Sequence, residues 1–253
     1  MTEPNKTLPG AEVATQEKKV CLICGKQLVY SQVAHEAKCS GCGQIFTANA
    51  ECEAGHFVCD ACHGSKSLPV IYYRCLNTDQ RDPYAIANEL MHNPAIHMHG
   101  PEHHVLIGSA LLAAYYNCGG EIDLPEALKI MRQRGSQVPG GICGFWGNCG
   151  AGVSAGIFMS IVTGSTPLAG ASWRLSNLMT SECLKNIAEA GGPRCCKRDG
   201  FMAIQTAVTF VAGHCKIRME LPEKLACHFS RRNKECLGEK CPFFSPPPQP
   251  TVD

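Results

Sequence analysis

The sequence predicts a mainly α-helical protein in which a small N-terminal zinc-ribbon-like module precedes a helical domain. Three observations carry this reading. Residues 20–64 are dense in Cys and His, poor in large apolar side chains and rich in turn signals such as "CSGCGQ". From about residue 82 the apolar residues recur at helical spacing. Beyond residue 76 strand-like alternation is scarce. The chain therefore divides into a polar stretch at 1–19 expected to be disordered, a Cys/His-rich zinc-binding module at 20–66, a helical domain at 67–244, and a proline-rich tail at 245–253.

Composition narrows the function classes. The chain has 253 residues, 45% of them hydrophobic, so it has material for a core. Its net charge of +1 gives no global field to recruit nucleic acid or membrane. The longest apolar runs, at 105–116 and 201–213, fall short of the ~18 residues that suggest a transmembrane helix. "MTEPNKTLPGAEVATQEKK" lacks the apolar stretch of a signal peptide, which leads us to expect a reducing cytoplasm. There, 18 cysteines and 10 histidines are expected to act as metal ligands or working thiols rather than as disulfides.

The elements follow in order. "LPVIYYRCL" at 68–76 reads as a strand from its β-branched and aromatic content. Helices are expected near 83–92, 102–117, 123–134, 150–163, 171–190 and 199–213. "DLPEALKIMRQRG" shows the signals well: Asp123 as N-cap, Pro125 early, acidic residues first, basic residues last, and Gly135 as the stop.

In the module, "CLIC" at 21–24 and "CSGC" at 39–42 are two C-x2-C knuckles fourteen residues apart. Each knuckle presents two thiolates, and zinc takes four tetrahedral ligands, so Cys21, Cys24, Cys39 and Cys42 read as one site. "CEAGHFVCDACH" adds Cys52, His56, Cys59 and Cys62 as ligands of a second zinc, with the two sites in series or cross-braced. His63 is either a spare or a catalytic residue. A module this small has little core, so metal binding must supply much of its folding free energy.

Helix 102–117 runs apolar on every face, "VLIGSALLAAYY", and belongs inside a domain. Its first turn carries His103 and His104, with His92, His97 and His99 upstream. The helix dipole keeps such imidazoles neutral, as a base or ligand must be. A glycine-rich loop, "PGGICGFWGNCGAG", places Cys143 and Cys149 at the start of another helix, where the dipole favours a thiolate. Trp146 walls a pocket or fills core. Buried imidazoles need partners, so the mouth of the first helix is expected to face this loop and share one pocket with it. His103, His104, Cys143 and Cys149 are the candidate catalytic residues.

"GPRCCKR" and "ACHFSRRNKECLGEKCPFF" contribute Cys195, Cys196, Cys227, Cys236 and Cys241. The Cys241-Pro242 step is a common ending of iron–sulfur sites. Three tail cysteines with Cys195 or Cys196 as fourth ligand can hold a [4Fe–4S] cluster, or leave one iron open to substrate; a third zinc is the structural alternative. Ten Lys and Arg between 194 and 240 form either a solvated face or a site for RNA or another anionic partner.

With "GHFVCDACH", "PEHHVLIGSALLAAY", "CGFWGNCGAGVSAG", "GPRCCKR" and "CPFF", the chain resembles an uncharacterised Cys/His-rich family of anaerobic bacteria and archaea over roughly 20–244. Members are sometimes attached to a methyltransferase-like domain, which this chain lacks. The resemblance implies a cytoplasmic setting in an anaerobe and brings no activity. The residues themselves favour an enzyme, a sulfur transferase or oxidoreductase dependent on zinc and iron–sulfur, acting on a small-molecule or sulfur-carrying substrate. The alternative is a zinc-binding module that recognises RNA or a protein partner on a structural helical domain. Only Lys26, Lys38, Tyr30, Phe46 and Phe57 interleave its knuckles, which is thin for RNA.

Overall fold

The helix without a polar face lies at the centre. In the computed structural model, which describes residues 20–59, 62 and 65–246, eight α-helices follow a two-stranded hairpin. The hairpin pairs β1 (Leu28–Lys38) with β2 (Ile45–Cys52) antiparallel. The helices are α1 (Ser67–Leu76), α2 (Pro83–His92), α3 (His103–Asn117), α4 (Leu124–Gly135), α5 (Ile142–Phe145), α6 (Gly150–Val162), α7 (Ala171–Glu189) and α8 (Cys196–His214). The expected disordered stretch 1–19, His63 and most of the proline-rich tail lie outside the described residues.

Every residue of α3 from His103 to Tyr115 is buried. It packs against α1, α2, α4, α6 and α8, and α7 covers α6 and α8 from outside. The close crossing of α3 with α4 and α6 requires Gly108. A Cβ there would stand 2.3 Å from Met131 Sδ and 3.1 Å from the Ser154 carbonyl. The buried Ser154 hydroxyl sits at the same crossing, accepting from Gly108 N–H at 2.9 Å and donating to the His104 carbonyl at 2.6 Å. That pair of bonds fixes the backbone of His104 against α6.

The expected Asp123 cap forms, a like cap starts α2, and α4 ends with Gly135 inside the helix and Ser136 as its C-cap. Asp82 accepts from Tyr84 N–H with Pro83 at the first position, and Asp123 accepts from Glu126 N–H. One expectation fails. "LPVIYYRCL" is the helix α1, not a strand. Its buried Ile71, Tyr72 and Cys75 lie on one helical stripe, and packing against α3 and α4 overrides the β-preference of Val, Ile and Tyr.

The hairpin end docks on the helices through Gly41, where a Cβ would meet Pro69 Cβ at 2.6 Å. Arg132 of α4 donates to the Gly41 carbonyl at 2.9 Å. After α8 the chain crosses back through two single 3-10 turns, Ser230–Arg232 and Gly238–Lys240. Buried Phe229 and Phe243 pin this return segment, and Tyr84 donates to the Ala226 carbonyl at 2.5 Å. Among the described residues no helix is long and apolar enough to cross a membrane.

Phe158 of α6 is fully buried, its ring edge-on to Tyr115 of α3. Phe158→Ala should cost about 3–5 kcal/mol. A denaturant midpoint lowered at unchanged slope would show it.

Candidate metal and thiol sites

The eight N-terminal ligands form two groups, but not along the sequence. Cys21, Cys24, Cys52 and His56 gather in one, and Cys39, Cys42, Cys59 and Cys62 in the other, each with its ligand atoms within 4.8 Å of one another. The expected quartet of Cys21, Cys24, Cys39 and Cys42 is therefore corrected: the two knuckles do not share a site. The hairpin is the reason. Leu28 pairs with Cys52 at one end and Lys38 with Ile45 at the other. An 11-residue strand extends roughly 30 Å or more, far beyond what one ion can span. The first knuckle thus meets the end of β2, and the second meets the segment after it through the Cys39–Phe57 bridge. The ligand pairs interleave, which is the cross-braced arrangement.

Both groups are anchored to the helices. His56 turns Nδ1 toward Cys24 and Cys52 sulfurs at 3.4 and 3.5 Å, while its Nε2 meets the Tyr73 hydroxyl of α1 at 2.7 Å. A hydrogen bond on the far nitrogen fixes the ring of a metal-binding imidazole. In the second group Arg132 donates to Cys62 Sγ at 3.0 Å. Four thiolates around a divalent ion carry two net negative charges, which this guanidinium offsets. Gly41 and Cys59 N–H groups both donate to Cys39 Sγ at 3.3 Å. Closed four-ligand sites of this kind suit structural zinc.

The histidines of the opening stretch scatter. His92 stacks near Phe229, His97 is largely exposed and bonds Glu102, and His99 bonds Asn233 and Glu235. Only His103 and His104 reach the glycine loop, where they line a small cavity together with Cys143, Cys149, Cys196 and Asp199. The two imidazoles are not equivalent. His103 has both nitrogens engaged, Nδ1 with the Gly100 carbonyl at 3.0 Å and Nε2 with Lys197 Nζ at 2.9 Å. Burial and the Lys197 charge push its pKa down to about 3. His104 spends Nδ1 on the Val138 carbonyl at 3.0 Å and is held neutral by burial. Its ring lies against Gly150, where a Cβ would come within 2.2 Å of Nε2. Among the described residues Nε2 takes no hydrogen bond.

Cys149 caps α6, yet the helix dipole does not leave it a thiolate. Burial, then the charge of Asp199, pushes the thiol up to about 12. Its Sγ lies 3.8 Å from Asp199 Oδ2. The cavity opens into a cleft of about 630 Å³ that shares Cys143, Cys149, Arg194 and Asp199 with it. That volume is in the range of a small-molecule site. Exposed Phe145 stands on its wall, and Trp146 is also exposed and fills no core.

Beyond Asp199 lies a second cavity. Cys195, Cys227, Cys236 and Cys241 line it with Asn233 and Arg198. Cys195 sulfur accepts from Arg198 N–H and Asn233 Nδ2 at 3.4 Å, and Cys236 sulfur from Gly238 N–H at 3.4 Å. Cys195 and Cys196 are consecutive at the start of α8 but face different cavities. Between the cavities sits the buried pair Arg198 and Asp199, joined at 2.9 Å. Arg198 gives Nη2 to the Pro193 carbonyl and leaves Nη1 buried without a partner.

Residue-pattern reasoning missed Asp199, Arg132 and Tyr73. It also placed Lys197 and Arg198 among the basic residues of a solvated or anion-binding face, whereas both are buried. Their signal was available in "CCKRD": charges that directly follow two cysteines at a helix start lie within the first turn, where the site is.

Fold and sites together define a helical protein with Cys/His clusters able to bind metal. The chain belongs to a family of unknown function, DUF5714, whose model matches residues 71–244. That span holds both helical-domain cavities and excludes both N-terminal metal groups. No curated protein and no solved structure matches the chain.

The interleaved pairing has a direct consequence. Cys24→Ser and Cys52→Ser should each release the same equivalent of metal, and Cys39→Ser the other one. Metal content of single and double variants checks this: Cys24→Ser combined with Cys52→Ser should lose no more metal than either alone.

Proposed function

We propose that this protein is an iron–sulfur enzyme of thiol-based redox or sulfur-transfer chemistry, with its N-terminal module held by two zinc ions. One observation carries the reading. Four cysteines from the start of α8 and the return segment converge on one cavity, and N–H donors already aim at the sulfurs of Cys195 and Cys236. Among the described residues only the two N-terminal groups bring three or more ligand atoms within 4.8 Å of one another. Four thiolates around one cavity match a [4Fe–4S] cubane, in which each thiolate binds a different iron. N–H···S bonds are among the features that set the potential of such clusters. Cys195, not Cys196, is the fourth ligand in this reading, and Cys241-Pro242 closes the set.

The cleft supplies the working side. Cys143 and Cys149 are the thiols that meet a substrate there. His104, with its free Nε2, is the imidazole that serves them, because His103 is already bound by Lys197. Arg194 and the unpartnered donor of Arg198 favour a substrate bearing an anionic or sulfur-carrying group. An oxygen-free cell interior suits this number of reduced soft ligands. A second reading takes the module as a docking element for a protein partner. It is favoured by the apolar side chains the hairpin exposes, Val29, Val33 and Ile45.

Protein purified and reconstituted without oxygen should be brown, with absorption that bleaches in air. Cys227→Ser should lose iron and sulfide in equal proportion while its zinc content stays at the wild-type level. Colourless wild-type protein, free of iron and sulfide, would sink the proposal.

A further inference from the structure

We infer that Cys143, Cys149, Cys196 and His104 form a second iron–sulfur site, separate from the cysteine quartet and open to the cleft. It deepens the reading of the cleft as the place of chemistry by making these groups ligands of the cluster that meets the substrate, in place of free thiols and a base, and it does not depend on a cluster at the quartet.

The ligand set comes from three elements. Cys143 lies in the short helix α5, Cys149 caps α6, and Cys196 begins α8. All three line the cavity that His104 closes. His104 is the independent observation. The residue is 9% exposed, and among the described residues its only side-chain hydrogen bond holds Nδ1 on the Val138 carbonyl. A proton fixed on Nδ1 leaves the Nε2 lone pair directed at the start of α6, with no protein group to receive it. The bond on the far nitrogen is the usual support of a ligating imidazole, and Nε2 is left open to the cavity.

The sequence around the site allows close approach. Gly150 has no side chain where one would strike the imidazole, so His104 can stand beside Cys149. Three thiolates and one imidazole around one cavity supply the four ligands of a cluster in which each takes its own iron. Cys195 and Cys196 would then hold two clusters through consecutive residues of one helix start. A path that short suits electron transfer between a buried cluster and one that faces the substrate cleft.

The test is reconstitution of the full chain with ferrous iron, sulfide and dithiothreitol under anaerobic conditions. Wild type should hold about eight irons, twice the content of one [4Fe–4S] cluster. Cys149→Ser and Cys196→Ser should each lose about half of the iron, and Cys227→Ser the other half. With labelled histidine, pulsed electron paramagnetic resonance of the reduced protein should show one imidazole nitrogen coupled to a cluster. His104→Gln should abolish that coupling. If wild type holds about four irons, all lost in Cys227→Ser, this inference fails while the quartet stands. If all iron is lost in Cys149→Ser and none in Cys227→Ser, the quartet reading fails and this one stands. Loss of zinc in place of iron from Cys149→Ser would also overturn it. Should the variants fail to fold, the iron content and nitrogen coupling of wild type decide alone, and absence of either overturns the inference.

Discussion

A helix with no polar face must be surrounded, and the rest of the molecule is arranged to surround α3. Burying thirteen consecutive residues, His103 to Tyr115, leaves no solvent side to which the first-turn imidazoles can turn. The packing of α4, α6 and α8 around that turn must therefore provide partners for them. His103 is satisfied by a buried lysine and a carbonyl. His104 is satisfied at one nitrogen only, and the nitrogen left over faces the start of α6. The apolar sequence that drives the fold also leaves an imidazole lone pair beside three thiols.

The start of α8 solves a related electrostatic problem. Lys197, Arg198 and Asp199 are all buried there, at 0%, 2% and 4% exposure. Isolated charges in such a place would be prohibitive, so each is paired or donates to a carbonyl. Lys197 donates to the His97 carbonyl and to His103, and burial draws its amine down to about 8. Arg198 and Asp199 neutralise one another. Asp199 also accepts from the Cys195 N–H at 3.3 Å while it faces Cys149, so one carboxylate touches both cysteine groups. Pairing keeps the region foldable; the one donor it leaves over, Arg198 Nη1, is where a ligand gains most.

The N-terminal module follows a different rule. Its described residues contribute a buried cluster made largely of cysteines, so its stability must come from metal and from its seat on α1 and α4. Tyr73 and Arg132 are the contacts that join both metal groups to the helices, one bonded to a ligand's far nitrogen and one to a thiol sulfur. The DUF5714 match begins inside α1. The helical domain with its two cavities is therefore the part that the family defines, and these two residues tie the module's metal groups to it.

Much of this was legible in the sequence because it is local. The buried character of α3, the capped start of α4, and the ligand types of both metal groups follow from composition and spacing along short stretches. So does the meeting of His104 with the Cys149 loop, since both segments were polar exceptions in an apolar domain. What the sequence could not decide were matters of pairing at a distance. The hairpin's length separates the knuckles and crosses their ligand pairs. Packing against α3 turns a strand-like run into α1. The rotation of α8 sends Cys195 and Cys196 to opposite cavities and buries the charges that follow them. Which imidazole stays free was set by Lys197, ninety-four residues away in the chain. Local spacing determined which chemistry was present; the tertiary structure alone decided which groups share a site, because only the packing of whole elements fixes distances between remote residues.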